Sequence, residues 1–427
     1  MAKMKDSGVK WIGEIPNTWN IKKVKYLATQ PESIFKDGDW IESDVIIDEG
    51  IRYLTTGNVG AGYFKEQGSG YISGETFKKL KCLKVLPEDL MISRLNEPIG
   101  RACMVPDTED MYVVAVDNVI LRPDEIYDKK FIMYCMNTTG YAEAGKDAAR
   151  GSTMQRVSRS LLGNFYIPIA HLKEQQLIAS FLDDKVGRID EILNDLNSQI
   201  KILDKYKKSL ITETVTKGVN STVEMKNSGI DWIGMVPEHW DIYYLKHLFE
   251  MFAGGDVDEY DFSDEYTELT PYPIYSNSLE NNGLFGYMSK YRFSGKTFTV
   301  TGRGDVGKAI ARDNAYYPIV RLLVCIPKFK DDTRYYAYCV NSADLLGEQT
   351  AMAQLTTQKL GINKFPRPPI KEQQRIADYL DKKCDEIDGL ISDKKAQIEK
   401  IQEYKKLLIY EYVTGKKRVK GAEELYG

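Results

Sequence analysis

The sequence has little with which to build a metal centre or a disulfide framework. Its 427 residues include three histidines (His171, His239, His247) and six cysteines (Cys82, Cys103, Cys135, Cys325, Cys339, Cys384), with no C-x-x-C spacing. Zinc sites gather four such ligands in closely spaced pairs, so no metal ligand is expected here. Scattered cysteines fit buried thiols in a reducing cytoplasm. A run of about 18 apolar residues, the length that spans a bilayer, is missing, as is an opening apolar segment of signal-peptide type. The chain is therefore expected in the cytoplasm, away from membranes. It also lacks a positive excess: its net charge is −4. Nonspecific nucleic-acid affinity comes from neutralising phosphates, so any such role must use local basic surface.

What is abundant is self-similarity. MKDSGVKWIGEIPNTW begins at Met4 and MKNSGIDWIGMVPEHW at Met225, 221 positions on, with Trp11/Trp232, Gly13/Gly234, Pro16/Pro237 and Trp19/Trp240 in step. GNFYIPIAHLKEQQLIASFLDDK from Gly163 and GINKFPRPPIKEQQRIADYLDKK from Gly361 are offset by 198. Fixed landmarks thus alternate with two variable stretches, the first about 23 residues longer.

Each fixed segment reads as a long helix. Leu182, Val186, Ile189, Leu193, Leu196, Ile200, Leu203, Tyr206 and Leu210 recur mainly at alternating four and three, and Leu380, Cys384, Ile387, Ile391, Lys394, Ile398, Ile401, Tyr404 and Leu408 repeat the register. Pro168 and Pro366 precede the helices, and Gly218 and Gly415 stand near their ends. About 40 helical residues give a rod on the order of 60 Å. Matching seams predict that the two pack against each other, antiparallel, with Lys394 snorkelling from the seam.

The variable stretches, 20–162 and 241–360, are rich in Tyr, Phe, Thr, Ile and Val broken by Gly, Asn and Asp, a pattern of strands and loops. TGRGDVGKA at 301–309 satisfies both G-x-x-x-x-G-K and G-x-G-x-x-G, yet Ala309 stands where a P-loop needs Ser or Thr. The residues that follow read strand, turn, strand rather than helix, so no phosphate site is expected. The loop is instead part of a basic surface, Arg292, Lys296, Arg303, Lys308 and Arg312, against the single acid Asp305. LMISRLNEPIGRACMV repeats it: Arg94 aligns with Arg303, and Gly100, Arg101, Ala102 with Gly307, Lys308, Ala309 after one extra residue. Glycine N–H groups beside Arg and Lys suit close approach to a DNA backbone, and an arginine fork suits guanine. A second set is Lys146, Arg150, Ser152, Gln155 and Arg156, with Gln354, Thr356 and Thr357 as its partner; these suit phosphate or base contacts, or caps of local backbone.

The S-G-x-x-W-I-G-x-x-P-x-x-W openings, the P-x-x-x-x-K-E-Q-Q helix starts and the heptads ending in TETVTKG and YEYVTGK resemble a type I restriction-modification specificity subunit over nearly the whole length. The resemblance implies an α+β chain of two mixed α/β target recognition domains separated by two long antiparallel coiled-coil helices, with a pseudo-two-fold internal repeat. The expected division is 1–170 and 218–368 for the recognition domains, 171–217 and 369–415 for the spacer helices, and 416–427 for a basic tail. Each domain would read half of a bipartite double-stranded DNA target. Implied partners are two methyltransferase subunits, which bind S-adenosylmethionine and methylate adenine, and motor-nuclease subunits that cut. The chain itself is expected to carry no cofactor and no catalysis: it has no N-P-P-[YF] motif, Arg367-Pro368-Pro369 being the nearest approach. Two alternatives are a non-enzymatic coiled-coil scaffold for other proteins, and the specificity subunit of a fused methylase-nuclease.

Overall fold

β-Branched and aromatic runs bounded by Gly, Asn and Asp turns make a four-stranded antiparallel sheet in each half of the chain. A computed structural model describes residues 3–68, 70–149, 155–220, 222–257, 259–343, 345 and 354–421. The first half supplies β1 (Ile34–Asp37), β2 (Leu90–Ser93), β3 (Ala102–Met104), β4 (Asn118–Arg122), a short helix α1 (Lys129–Met136) and the long helix α2 (Leu172–Lys217). The second supplies β5 (Phe249–Ala253), β6 (Thr297–Val300), β7 (Ala309–Arg312), β8 (Leu323–Pro327), α3 (Thr333–Ser342) and the long α4 (Ile370–Val413). The sheet orders are β1-β4-β2-β3 and β5-β8-β6-β7, one topology written twice. Each half adds a three-stranded sheet, Tyr71–Ile72, Ile51–Leu54, Tyr112–Val114 in one and Leu284–Met288, Tyr272–Tyr275, Tyr317–Pro318 in the other. In both, the middle strand pairs antiparallel on one side and parallel on the other.

The chain divides into two units, Met1–Asp195 with Ala396–Gly427, and Leu196–Lys395. In the first, Trp19, Phe131, Leu182, Ile189, Leu408 and Val413 share one core. Asp190 of α2 pairs with Lys405 of α4 at 2.6 Å, and Phe181 stacks on Tyr412 with centroids 4.5 Å apart, so the two helix segments run antiparallel. In the second, Trp240, Phe298, Tyr335, Leu360 and Leu380 form the core, and Lys207 of α2 meets Asp388 of α4 at 2.6 Å. Lys394 reaches from the seam to Gln199 Oε1 at 2.5 Å, the snorkelling that its flexible stem allows. Leu182, Ile189, Leu196, Leu380 and Ile387 are buried, and Leu203 and Ile401 half-buried. Tyr206 and Tyr404 depart from the expected seam, each 55% exposed. The heptad alternation after Leu203 and Ile401 reaches Lys207 and Lys405, which pair with Asp388 and Asp190 across the helices, so the tyrosines one residue earlier fall outside the seam.

The sequence landmarks are the joints of each unit. Trp19 Nε1 donates to Glu174 Oε2 and Trp240 Nε1 to Glu372 Oε2, both at 2.9 Å. Gln175 Oε1 accepts from the Asp128 N–H at 2.9 Å and Gln373 Oε1 from the Asp332 N–H at 2.8 Å, so the K-E-Q-Q run fastens each long helix to the unit it enters. Burying each indole contributes roughly 4–6 kcal/mol gross by area. Among the described residues no helix is long and apolar enough to cross a membrane. Residues 422–427 of the expected basic tail lie outside the described residues.

Candidate nucleic-acid interface

The loop at 301–308 is the tip of the β6–β7 hairpin, followed in the chain by a strand and not by a helix. Thr301 organises it: its N–H bonds Lys308 O at 2.9 Å, its carbonyl accepts from Gly307 N–H at 2.8 Å, and its hydroxyl accepts from Lys308 N–H at 2.9 Å. Gly304 and Gly307 sit at φ +68° and +84°, where a side chain would strain the turn. The β2–β3 hairpin repeats the pattern, Ser93 N–H bonding Arg101 O at 2.9 Å and Gly100 N–H bonding Ser93 O at 2.8 Å, with Gly100 at φ +82°.

This register corrects the sequence alignment by one residue. Val157 N–H bonds Arg94 O and Leu355 N–H bonds Gly302 O, each at 3.1 Å, so Arg94 is the counterpart of Gly302, not of Arg303. Gly100, Arg101 and Ala102 do correspond to Gly307, Lys308 and Ala309. A Cβ at Gly302 would lie 3.0 Å from both Arg321 O and Leu355 O, leaving no room for an arginine's side chain there.

Three arginines expected at the surface are turned inward. Arg94 is 5% exposed, its Nε 3.2 Å from Asp37 Oδ1 and its Nη atoms donating to Val157 O (3.2 Å) and Val116 O (2.5 Å). Arg312 is 6% exposed, stacked 3.6 Å from the Tyr275 ring centroid and donating to Thr299 Oγ1 (3.2 Å) and Asn282 O (2.6 Å). Arg101 donates from Nε to Val59 O (2.8 Å) and from Nη1 to Asn96 O (3.0 Å), stitching two loops together. Burial lowers all three guanidinium pKa values from their ordinary level. A guanidinium satisfying that many carbonyls braces a loop, since each N–H removed would orphan a buried oxygen.

The other basic positions face outward. Arg303, Lys308 and Lys296 are exposed around the second unit's hairpin, as is Arg292, which donates to Ala253 O at 3.2 Å. In the first unit Lys146 pairs with Glu97 at 3.1 Å and Arg156 with Asp117 at 2.9 Å, both exposed. Gln155 is half-buried; its backbone carbonyl accepts from Asn96 N–H at 3.0 Å. Arg150 and Ser152 lie outside the described residues. Gln354 Oε1 stands 3.5 Å from Arg321 Nη1, while Thr356 caps the short helix Thr357–Gly361 by accepting from Lys359 N–H at 3.2 Å. Thr356 thus serves local backbone, while Thr357 is the first residue of that helix.

Composition did not single out Asn137 and Asn341. Asn341 Oδ1 accepts from Ala309 N–H at 2.8 Å and its Nδ2 donates to Ala309 O at 2.9 Å, an amide side chain imitating a strand partner. Asn137 does the same to Ala102, at 3.2 and 2.8 Å. Each fixes its hairpin to the helix behind it. Their 204-residue offset, between the two landmark offsets, was the available signal.

The family model described as type I restriction modification DNA specificity domain matches residues 16–202 and 237–400. A type I restriction enzyme MjaX specificity subunit from Methanocaldococcus jannaschii is 24% identical over 432 residues, covering 96% of each chain. The MjaVIII specificity subunit of the same organism is 27% identical over 305 residues, 64% of this chain and 67% of that one. A solved chain from work on complex assembly and conformational transition of the type I R-M system superposes with a TM-score of 0.72 at 13% identity, covering 93% of this chain and 98% of that one. The HsdS subunit from Thermoanaerobacter tengcongensis gives 0.50 at 14%, covering 94% and 98%.

Proposed function

Because the chain belongs to the type I restriction-modification DNA specificity family, with two recognition domains and a helical linker, we propose that it reads a bipartite double-stranded DNA sequence without doing chemistry of its own. The observation that carries this reading is the duplicated hairpin. Each unit presents the same glycine-bearing tip, fastened by an asparagine clamp, while the side chains around it differ. A constant frame with changeable contacts suits two readers of unlike half-sites. Arg303 and Lys308 of the second unit, and Arg156 and Lys146 of the first, are the exposed cations nearest that role.

The half-site spacing is assigned to α2 and α4, each of which lends one part to each unit. These helices also carry exposed apolar side chains, Ile192 and Leu407 in the first unit, Ile202 and Leu390 in the second. That supports docking of two methyltransferase subunits, which would bring S-adenosylmethionine, and through them the motor-nuclease subunits. With a net charge of −4, much of the phosphate clamp falls to those partners.

The test is binding of the full chain, assembled with its methyltransferase partners, to a randomised duplex library across a salt series. Selection of a two-part sequence is expected. Arg303→Ala should weaken binding by roughly 1–3 kcal/mol and relax one position of one half-site. Unchanged affinity and preference would refute that role for Arg303. Replacing residues 241–360 by a relative's equivalent should change one half-site only; altered preference in both would contradict two separate readers.

A further inference from the structure

The sheet registers make Val119 the counterpart of Leu323, so the turn at 115–118 corresponds to the turn at 319–322. Both close with the same bond, Asn118 N–H to Ala115 O at 2.9 Å and Leu322 N–H to Ile319 O at 3.0 Å. They differ in hand. Val320 and Arg321 have φ of 51° and 60°, whereas Val116 and Asp117 have no positive φ. A β-branched residue in the left-handed region is an outlier that its surroundings must hold in place.

Backbone bonds hold it, Val320 N–H to Gly255 O at 2.9 Å and Gly254 N–H to Leu322 O at 2.8 Å, and one side chain adds to them. Asn277 Nδ2 donates to Val320 O at 2.6 Å while its Oδ1 accepts from Gly302 N–H at 2.7 Å. In the first unit the two functions are divided: Arg94 Nη2 donates to Val116 O at 2.5 Å, and the Arg94 N–H, equivalent to that of Gly302, is accepted by Asp117 O at 3.0 Å. The chemistry displayed by the turn changes as well. Asp117 is locked to Arg156 at 2.9 Å; the equivalent residues are Arg321 and Gln354, 3.5 Å apart. A neutral ion pair in one unit is thus replaced by an exposed guanidinium beside an amide in the other. An arginine fork matches guanine N7 and O6, and a glutamine amide lies alongside it to hold or complement the fork.

We infer that Arg321 reads a base edge in the second unit's half-site and that Asn277 is the positioning residue that aims it; this rests on the DNA-reading role proposed above. Arg321 contributes through its geometry as well as its charge, because lysine carries the charge without the two-pronged donor.

The experiment uses the full chain with its methyltransferase partners and the same randomised duplex library. Arg321→Ala is expected to lower affinity for the preferred duplex by roughly 5- to 150-fold and to flatten the preference at one base pair of one half-site. Arg321→Lys should flatten the same base pair. Asn277→Ala should do so too, with faster amide hydrogen exchange at Gly302, and adding Val320→Gly, which accepts the left-handed turn, should restore part of the preference. A uniform loss of affinity with every base preference kept, or no loss, overturns the assignment of Arg321. Flattening in Arg321→Ala with Asn277→Ala indistinguishable from the parent overturns the positioning role alone. A parent complex that selects no sequence removes the DNA-reading proposal, and this inference with it.

Discussion

Trp240 donates its indole N–H to Glu372 Oε2 at 2.9 Å, and the other oxygen of that carboxylate lies 2.9 Å from His239 Nε2. Trp19 and Glu174 repeat the first bond, with Arg418 Nη2 at 2.9 Å in place of the histidine. Trp240→Phe keeps most of the ring packing and removes the donor, leaving a partly buried carboxylate short of a partner. The expected loss is about 1–3 kcal/mol, read as a lowered denaturant midpoint. Glu372→Gln preserves an acceptor oxygen and should cost less; an equal or greater loss would show that the charge, not the bond, matters.

The asparagine clamps predict a local effect. Asn341→Ala should speed amide exchange at Ala309 by tenfold or more, equivalent to about 1.4 kcal/mol, and leave Ala102 unaffected. Asn137→Ala should show the converse. Spread of either effect through both units would mean that the clamps do not act within their own hairpins.

Acid should loosen the first unit through Asp124. Burial opposes its ionisation, but Gln30 and Thr29 N–H groups and the Thr29 hydroxyl outweigh it and hold the carboxyl down to about 2, from 3.8. A depressed carboxyl stabilises the fold above its unfolded pKa and loses that contribution as pH falls from about 4 through about 2. Asp124→Asn should therefore cost about 1–2 kcal/mol at pH 7 and almost nothing near pH 2, measured by urea unfolding at both. A penalty that grows in acid would reverse the sign.

Lys394 holds a seam position where its counterpart Leu196 is buried, with its ammonium on Gln199. Lys394→Leu should raise the unfolding midpoint by about 1 kcal/mol through added apolar burial. A lower midpoint would show that the Gln199 bond outweighs that burial.

All six thiols are free and buried. Burial pushes Cys103 up to about 12 and Cys82 to about 11. Alkylation of native protein at pH 8 should be slow at both and accelerate sharply on unfolding. Rapid labelling of Cys103 in the native state would contradict its burial.

The long helices and the repeat were legible because their signals are periodic: a heptad and two fixed offsets survive without any contact information. Lys394 could be read as snorkelling for the same reason. The reading surface was less legible. An arginine at a hairpin tip looks alike whether it faces solvent, as Arg303 does, or turns inward to Asp37, as Arg94 does. Only strand register, which depends on pairing across distant segments, separates them. Arg321 was missed because its surroundings, VRLL, read as an apolar strand, and the left-handed turn is held by bonds to distant segments, among them that from Asn277, 43 positions before Val320.

The second unit is continuous in the chain, but the first needs residues from 396 onward, with Leu408 and Val413 inside its core. The unit translated first is therefore the last able to close. Until the final helix emerges, its unfinished apolar face stays open to chaperones, and a transcript truncated before residue 396 would leave the leading half unable to mature while the trailing half could still fold.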